Sequence, residues 1–214
     1  WSPSSAKNSF TLSGTSYDST ILLPKLTKIL SNQAPSISLN FRGIVIEDYF
    51  KRMSNHVVDL SFGANLPVKS DFVIESLAEC EFCLIASKKK YKDAKRISLT
   101  KYLGEKHILF TPTEKPGSHV DDLLKTMNKE RSVMIKTSFL DSIPHLVCEG
   151  EYISILPTFY AKRMEKILPI KIFKPPFELE SFSHQMVWHK SLDKSVAHTW
   201  IRSLIKKEYT NLMK

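Results

Sequence analysis

The feature that most limits what this chain can fold into is a strand, turn and helix order that runs through it twice. It begins at Phe10–Pro24, where Phe10 and Leu12 read as a strand and Ile21, Leu22, Leu23, Leu26, Ile29 and Leu30 fall on one apolar helix face. Thr15, Ser16, Tyr17, Asp18, Ser19 and Thr20 form a polar turn between the two. Several of these side chains can cap a helix N-terminus, and the free N–H groups and positive dipole end there favour a polar or anionic ligand. Capping alone accounts for the stretch; a ligand wall is the alternative.

The alternation continues downstream. Ser36–Phe41 places Ile37, Leu39 and Phe41 on one face of a strand, Glu47–Met53 has the charge order of a short helix, and Val57, Val58, Leu60 and Phe62 make a strand stopped by Gly63. Strand–helix–strand–helix–strand requires parallel strands with crossover helices. Ligands on such sheets collect at the carboxyl ends of strands, here Ser13–Tyr17, Arg42–Ile44 and Gly63–Asn65. Apolar segments at Phe72–Ser76 and Glu81–Ser87 lead into a basic connection. A second cycle then runs through a strand at His107–Phe110, a loop at Thr111–Ser118, a helix at His119–Met127, a strand at Ser132–Ser138 and a helix at Phe139–Glu149. It ends with a strand at Tyr152–Leu156, a helix at Phe159–Ile167 and a strand at Ile170–Phe173. Phe182–His189 reads as a strand and Val196–Met213 as a long helix, which would return the chain to the first lobe. The fold class expected is α/β, with a cleft between Thr15–Tyr17 and Thr111–Ser118.

Composition narrows the function. The 214 residues hold 31 Lys and Arg against 22 Asp and Glu, a net charge of +9. Only Lys88-Lys89-Lys90, Lys92, Lys95 and Arg96 form a cluster, and without interleaved aromatics it reads as a solvated face. No apolar run approaches a bilayer span, and a soluble, cytoplasmic protein with no membrane partner is expected. Cys80, Cys83 and Cys148 are odd in number, which argues against a disulfide framework. Cys80-Glu81-Phe82-Cys83 has C-x-x-C spacing but no second pair, and the run into Leu84, Ile85 and Ala86 favours core cysteines over a metal or redox site.

Catalytic patterns are missing: there is no G-x-S-x-G, H-E-x-x-H, phosphate loop or dinucleotide fingerprint. His119 and His145 sit at helix starts, His184 and His189 would face opposite sides of a strand, and Asp59 suits a strand-end hydrogen bond. No nucleophile, base and orienting group can be assembled, so the expectation is no enzyme, no cofactor, no catalytic residues and no metal site.

The order and spacing of certain segments resemble the effector-binding (regulatory) domain of LysR-type transcriptional regulators. The segments are Trp1-Ser2-Pro3 with Phe10–Leu12, Leu22-Leu23-Pro24 with Leu26 and Leu30, Pro35 before a strand, Val58-Asp59-Leu60-Ser61-Phe62-Gly63 and Tyr152-Ile153-Ser154-Ile155-Leu156-Pro157. The N-terminal entry is most similar to the branch sensing aromatic acids and flavonoids. The resemblance implies two Rossmann-like lobes joined by two crossing strands, the architecture of type 2 periplasmic binding proteins. It puts the end of a linker at 1–9, lobe I at 10–82 and 188–214, and lobe II at 83–187. Effector contacts are implied at Thr15, Ser16, Tyr17, Gly43, Ile44, Gly63, Ala64, Pro116, Gly117, Ser118, Ser138 and Phe139. Ala64 stands where several relatives carry an Arg for a carboxylate, leaving that role to Arg42 if the effector is an acid.

The implied partners are a small-molecule effector, such as an aromatic or organic acid, and further copies of the chain in a homodimer or tetramer. Helix Ile21–Leu30 would then be a dimer contact through Ile29 or Leu26, unless these are core. Promoter DNA would be met only through an N-terminal winged helix-turn-helix that these residues lack. Ser16→Ala and Thr15→Val are expected to weaken effector binding with little loss of stability. A solute-binding protein of a transporter and a transferase or dehydratase on the same fold are the alternatives.

Overall fold

The computed structural model describes residues 1–46, 48–111 and 118–212. The chain divides into two units, Trp1–Glu79 with Phe182–Lys214, and Cys80–Ser181. It passes between them at 79/80 and 181/182, where 82/83 and 187/188 were expected.

The first unit is a five-stranded sheet in the order β2-β1-β3-β10-β4. Its strands are β1 (Ser9–Gly14), β2 (Ser38–Gly43), β3 (Leu60–Ala64), β4 (Phe72–Cys80) and β10 (Phe182–His189). β1 pairs in parallel with both β2 and β3, as the strand–helix alternation requires, whereas β10 returns antiparallel to β3. The crossover helices are α1 (Ser16–Gln33) and α2 (Tyr49–Ser54), and α7 (Val196–Leu212) packs on α1. Ile201, Ile205 and Tyr209 recur every fourth residue on α7 and are all fully buried.

α1 starts earlier than its apolar residues suggest and continues through Pro24. Proline removes one intrahelical hydrogen bond, but Pro24 and Thr20 lie on the exposed face, where water can serve the freed Thr20 carbonyl. The opposite face, Ile21, Leu22, Leu26 and Leu30, is buried, and the helix packs on α7 and β1. Of the two residues named for a dimer contact, Leu26 is fully buried and so is core, the alternative left open for it, while Ile29 is half-buried.

The second unit is a sheet in the order β7-β6-β8-β5-β9. Its strands are β5 (Phe82–Ser87), β6 (Lys106–Phe110), β7 (Ser132–Thr137), β8 (Ile153–Pro157) and β9 (Ile170–Phe173). β6 runs parallel to β7 and β8, and β5 antiparallel to β8 and β9. Helices α4 (His119–Thr126), α5 (Ile143–Gly150) and α6 (Thr158–Glu165) follow β6, β7 and β8. The basic connection carries an unforeseen helix, α3 (Leu99–Gly104), begun by Ser98, whose hydroxyl accepts the Lys101 N–H. Tyr102 explains it: the ring is fully buried in a cluster with Leu84, Leu124, Ile153 and Phe173. Cys80 and Cys83 are buried on β4 and β5, and burial pushes the Cys83 thiol up to about 12, far from a reactive thiolate.

Candidate functional site

Parallel pairing brings three of the expected segments to one edge of the first unit. Gly14 lies opposite Gly43 in the β1–β2 ladder, Ser13 lies opposite Ser61 in β3, and the Ile44 N–H donates to the Gly14 carbonyl at 3.0 Å. Thr15, Gly43, Ile44, Gly63 and Ala64 therefore share the carboxyl end of one sheet. Gly43 is exposed, and a Cβ built there would meet nothing within 4 Å. Ala64 is exposed, and Asn65 turns the chain with φ +47°, a region asparagine tolerates better than most residues. Arg42 is exposed on β2, next to Gly43.

The same edge holds the N-terminus of α1, closed by a reciprocal cap. Thr15 donates to Asp18 Oδ2 through its N–H at 2.7 Å and its hydroxyl at 2.8 Å, while the Asp18 N–H donates to Thr15 Oγ1 at 3.3 Å. Gly14 is required beside this cap, because a Cβ there would stand 2.9 Å from Asp18 Oδ2. Asp18 is fully buried, and its Oδ1 accepts from Tyr209 at 2.6 Å and from His184 Nε2 at 2.8 Å. Burial alone would push the Asp18 carboxyl up; the charge of His184 and the hydrogen bonds from His184, Tyr209 and Thr15 outweigh it and hold the carboxyl below its ordinary range. The positive end of α1 thus already faces an anion supplied by the chain. Tyr17 is buried, its ring edge-on to His184 at 6.1 Å, and Ser16 is half-exposed.

In the second unit, β6 and β7 end together, with the Thr111 N–H donating to the Thr137 carbonyl at 2.9 Å. Ser138 and Phe139 follow at that edge, and the Phe139 ring is 63% exposed. Ser118 caps α4: its hydroxyl donates to Asp121 Oδ2 at 2.9 Å and accepts from the Asp121 N–H and from Arg131 Nη2. Its one hydrogen and its lone pairs are thereby engaged within the unit. Pro116 and Gly117 lie outside the described residues.

Sequence reasoning paired Asp59 correctly, since its carboxylate accepts the Thr11 N–H at 2.7 Å. It missed Asp18, His184, Tyr209 and Arg131. Asp18 was visible as the fourth residue of a Thr-x-x-Asp capping pattern, but its partners lie at the far end of the chain, with no local signal. Arg131 was one of many cations, yet its side chain is 2% exposed and bonded to Asp121, Tyr102 and Ser118. Among the described residues no group of His, Cys, Asp and Glu is arranged to hold a metal ion, and no helix is long and apolar enough to cross a membrane.

Comparisons with known proteins identify the family and the fold. The family described as "LysR substrate binding domain" matches residues 5–210. The HTH-type transcriptional activator NahR of Pseudomonas putida is 18% identical over 209 residues, covering 98% of this chain and 70% of that protein. The regulatory domain of MexT, a transcriptional activator in Pseudomonas aeruginosa, superposes with a TM-score of 0.81 at 18% identity, over 95% of this chain and 98% of that one. The BenM effector-binding domain, solved with its effector benzoate, gives a TM-score of 0.74 at 14% identity, over 97% and 94% of the two chains.

Proposed function

The chain belongs to the LysR substrate-binding family and is the effector-binding domain of a LysR-type regulator, and on that premise we propose that it recognises a small aromatic effector through the strand-end residues described above. In the first unit these are Thr15, Ser16, Tyr17, Gly43, Ile44, Gly63 and Ala64; in the second, Ser138 and Phe139, with Pro116, Gly117 and Ser118. The observation that carries this reading is the open carboxyl edge of β1, β2 and β3. Three parallel strands end there together, and Gly43 leaves free space where any other residue would project a side chain. An aromatic effector accords with BenM, whose own effector is benzoate.

The chemistry at this edge is recognition. The hydroxyl of Thr15 is engaged with Asp18, and Asp18 is enclosed by Thr15, His184 and Tyr209. The chain is a sensor and not an enzyme, and it works in the cytoplasm as a dimer or higher oligomer whose geometry sets how promoter DNA is held. An effector shifts such an equilibrium only by its difference in affinity between the two states. Buried Asp18 supplies the charge at the α1 N-terminus, so an aromatic acid gains nothing from that dipole and takes any cationic contact from Arg42.

The test is a thermal-shift screen of the chain with benzoate, a hydroxybenzoate, a flavone and succinate. A ligand that binds only the native state raises the melting temperature with the logarithm of its concentration above Kd. A dose-dependent rise with an aromatic member and none with succinate is expected. No rise with any aromatic member contradicts the reading.

A further inference from the structure

The second unit holds a half-enclosed cavity of about 190 Å³ that packing leaves unfilled. Its floor is Ile108 and Val120, both buried, and its rim is Phe82, Phe110, Ile155 and Leu179, each only half-buried. Four large apolar side chains left half-wet around one hollow are an incomplete core, and a guest that covered them would complete it. Size limits the guest: an engineered apolar cavity of about 150 Å³ stays dry and admits benzene. Here there is room for one ring and a small substituent.

One corner of the cavity is polar, where Ser118 and Arg131 join the lining, with the exposed His119 at its mouth. Arg131 is a buried cation that already has its counter-charge, since Nε meets Asp121 Oδ1 at 2.7 Å. Nη1 donates to the Tyr102 hydroxyl and Nη2 to Ser118 Oγ, both at 3.0 Å. A guanidinium has five N–H donors, so the Arg131–Asp121 pair can still offer a hydrogen bond but no net charge. A carboxylate placed in this apolar hollow would lose its water and find the buried guanidinium already paired.

We infer that this cavity is a binding pocket within the second unit for an uncharged single aromatic ring carrying one hydrogen-bond acceptor, the class of a phenol or a benzyl alcohol. The inference rests on reading the chain as an effector-binding domain and adds where an aromatic portion is held and which charge state is admitted. The pocket discriminates against benzoate because Asp121 occupies the charge of Arg131.

The experiment follows the methyl resonances of Ile108, Val120, Ile155 and Leu179 in the isotope-labelled chain during titration with phenol and, separately, benzoate. Saturable shifts with phenol are expected, at least tenfold weaker with benzoate. Leu179→Trp, which fills the hollow from an irregular segment, should abolish them, and Ile155→Phe serves if that variant does not fold by circular dichroism. No saturable shift with phenol, equal affinity for benzoate, or unchanged shifts in a folded filling variant overturns the pocket. If a flavone or benzoate still raises the melting temperature while these methyls stay unmoved, the pocket fails and the sensor reading survives. If nothing raises it and nothing moves, both fail.

Discussion

Asp18→Asn is the perturbation whose consequence the structure specifies most closely. The carboxylate takes four hydrogen bonds: His184 Nε2 at 2.8 Å and Tyr209 at 2.6 Å on Oδ1, the Thr15 N–H at 2.7 Å and the Thr15 hydroxyl at 2.8 Å on Oδ2. An asparagine has one oxygen and one NH2, so whichever way the amide is turned, two of these donors lose their acceptor: the N–H meets the NH2, and the hydroxyl beside it can only turn round to accept. Each hydrogen bond to a charged group contributes about 1.5–3 kcal/mol, so two lost bonds cost about 3–6 kcal/mol. With a urea dependence of about 2 kcal/mol per molar, the unfolding midpoint should fall by roughly 2 M with an unchanged slope. Because His184 is the other half of the pair, Asp18→Asn with His184→Gln should cost less than the sum of the single variants. A midpoint within about 0.3 M of the parent would refute the idea that this network holds α1, β10 and α7 together.

Further outcomes follow from the same geometry. Burial holds His107 and His198 down to about 4, His198 donating from Nε2 to the Asp59 carbonyl at 3.1 Å. Their ordinary value is about 6.5, so between these limits the unfolded chain binds more protons, and stability is full above pH 7 and lost on acidification through pH 6.5 to 4. The loss is up to about 2 kcal/mol per histidine by pH 5, measurable by urea unfolding across pH; a flat profile over that window contradicts it. Gly14→Ala puts a methyl 2.9 Å from Asp18 Oδ2 and should destabilise by about 1–3 kcal/mol, read by thermal unfolding; an unshifted melting curve contradicts the close approach. Thr15→Val removes the cap and should cost about 1 kcal/mol, contrary to the small effect expected from sequence, whereas Ser16→Ala should stay within about 0.5 kcal/mol. Equal melting temperatures for the two variants would show that the cap contributes nothing.

Much of the fold was legible because period and punctuation agree: Leu39 and Phe41 alternate on β2, Gly43 and Gly63 fall at strand ends, and Ile21, Leu22, Leu26 and Leu30 stripe one helix. Helix α3 was hidden because its short sequence Leu-Thr-Lys-Tyr-Leu-Gly carries no full helical period, and what holds it is the distant packing of Tyr102. At the candidate site, the positions of Thr15, Gly43 and Gly63 followed from strand order. The state of their side chains did not. That Thr15 is spent on Asp18, Ser118 on Asp121 and Arg131, and Tyr17 on the core depends on long-range partners that no local pattern announces. Leu26 stood open between dimer contact and core for the same reason, since an apolar stripe does not reveal which of its residues the fold covers; it is core.

The central claim, that effector recognition uses the open carboxyl edge of β1, β2 and β3, is tested most directly at Gly43. A Cβ built there meets no neighbour within 4 Å, so Gly43→Trp should leave the unfolding midpoint unchanged while its ring fills the space before the edge. Calorimetric titration of the parent and of Gly43→Trp with whichever of benzoate, hydroxybenzoate or flavone raises the melting temperature is the measurement. Saturable binding to the parent and at least a tenfold loss in the folded variant are expected; equal affinity in the two would overturn the assignment of this edge.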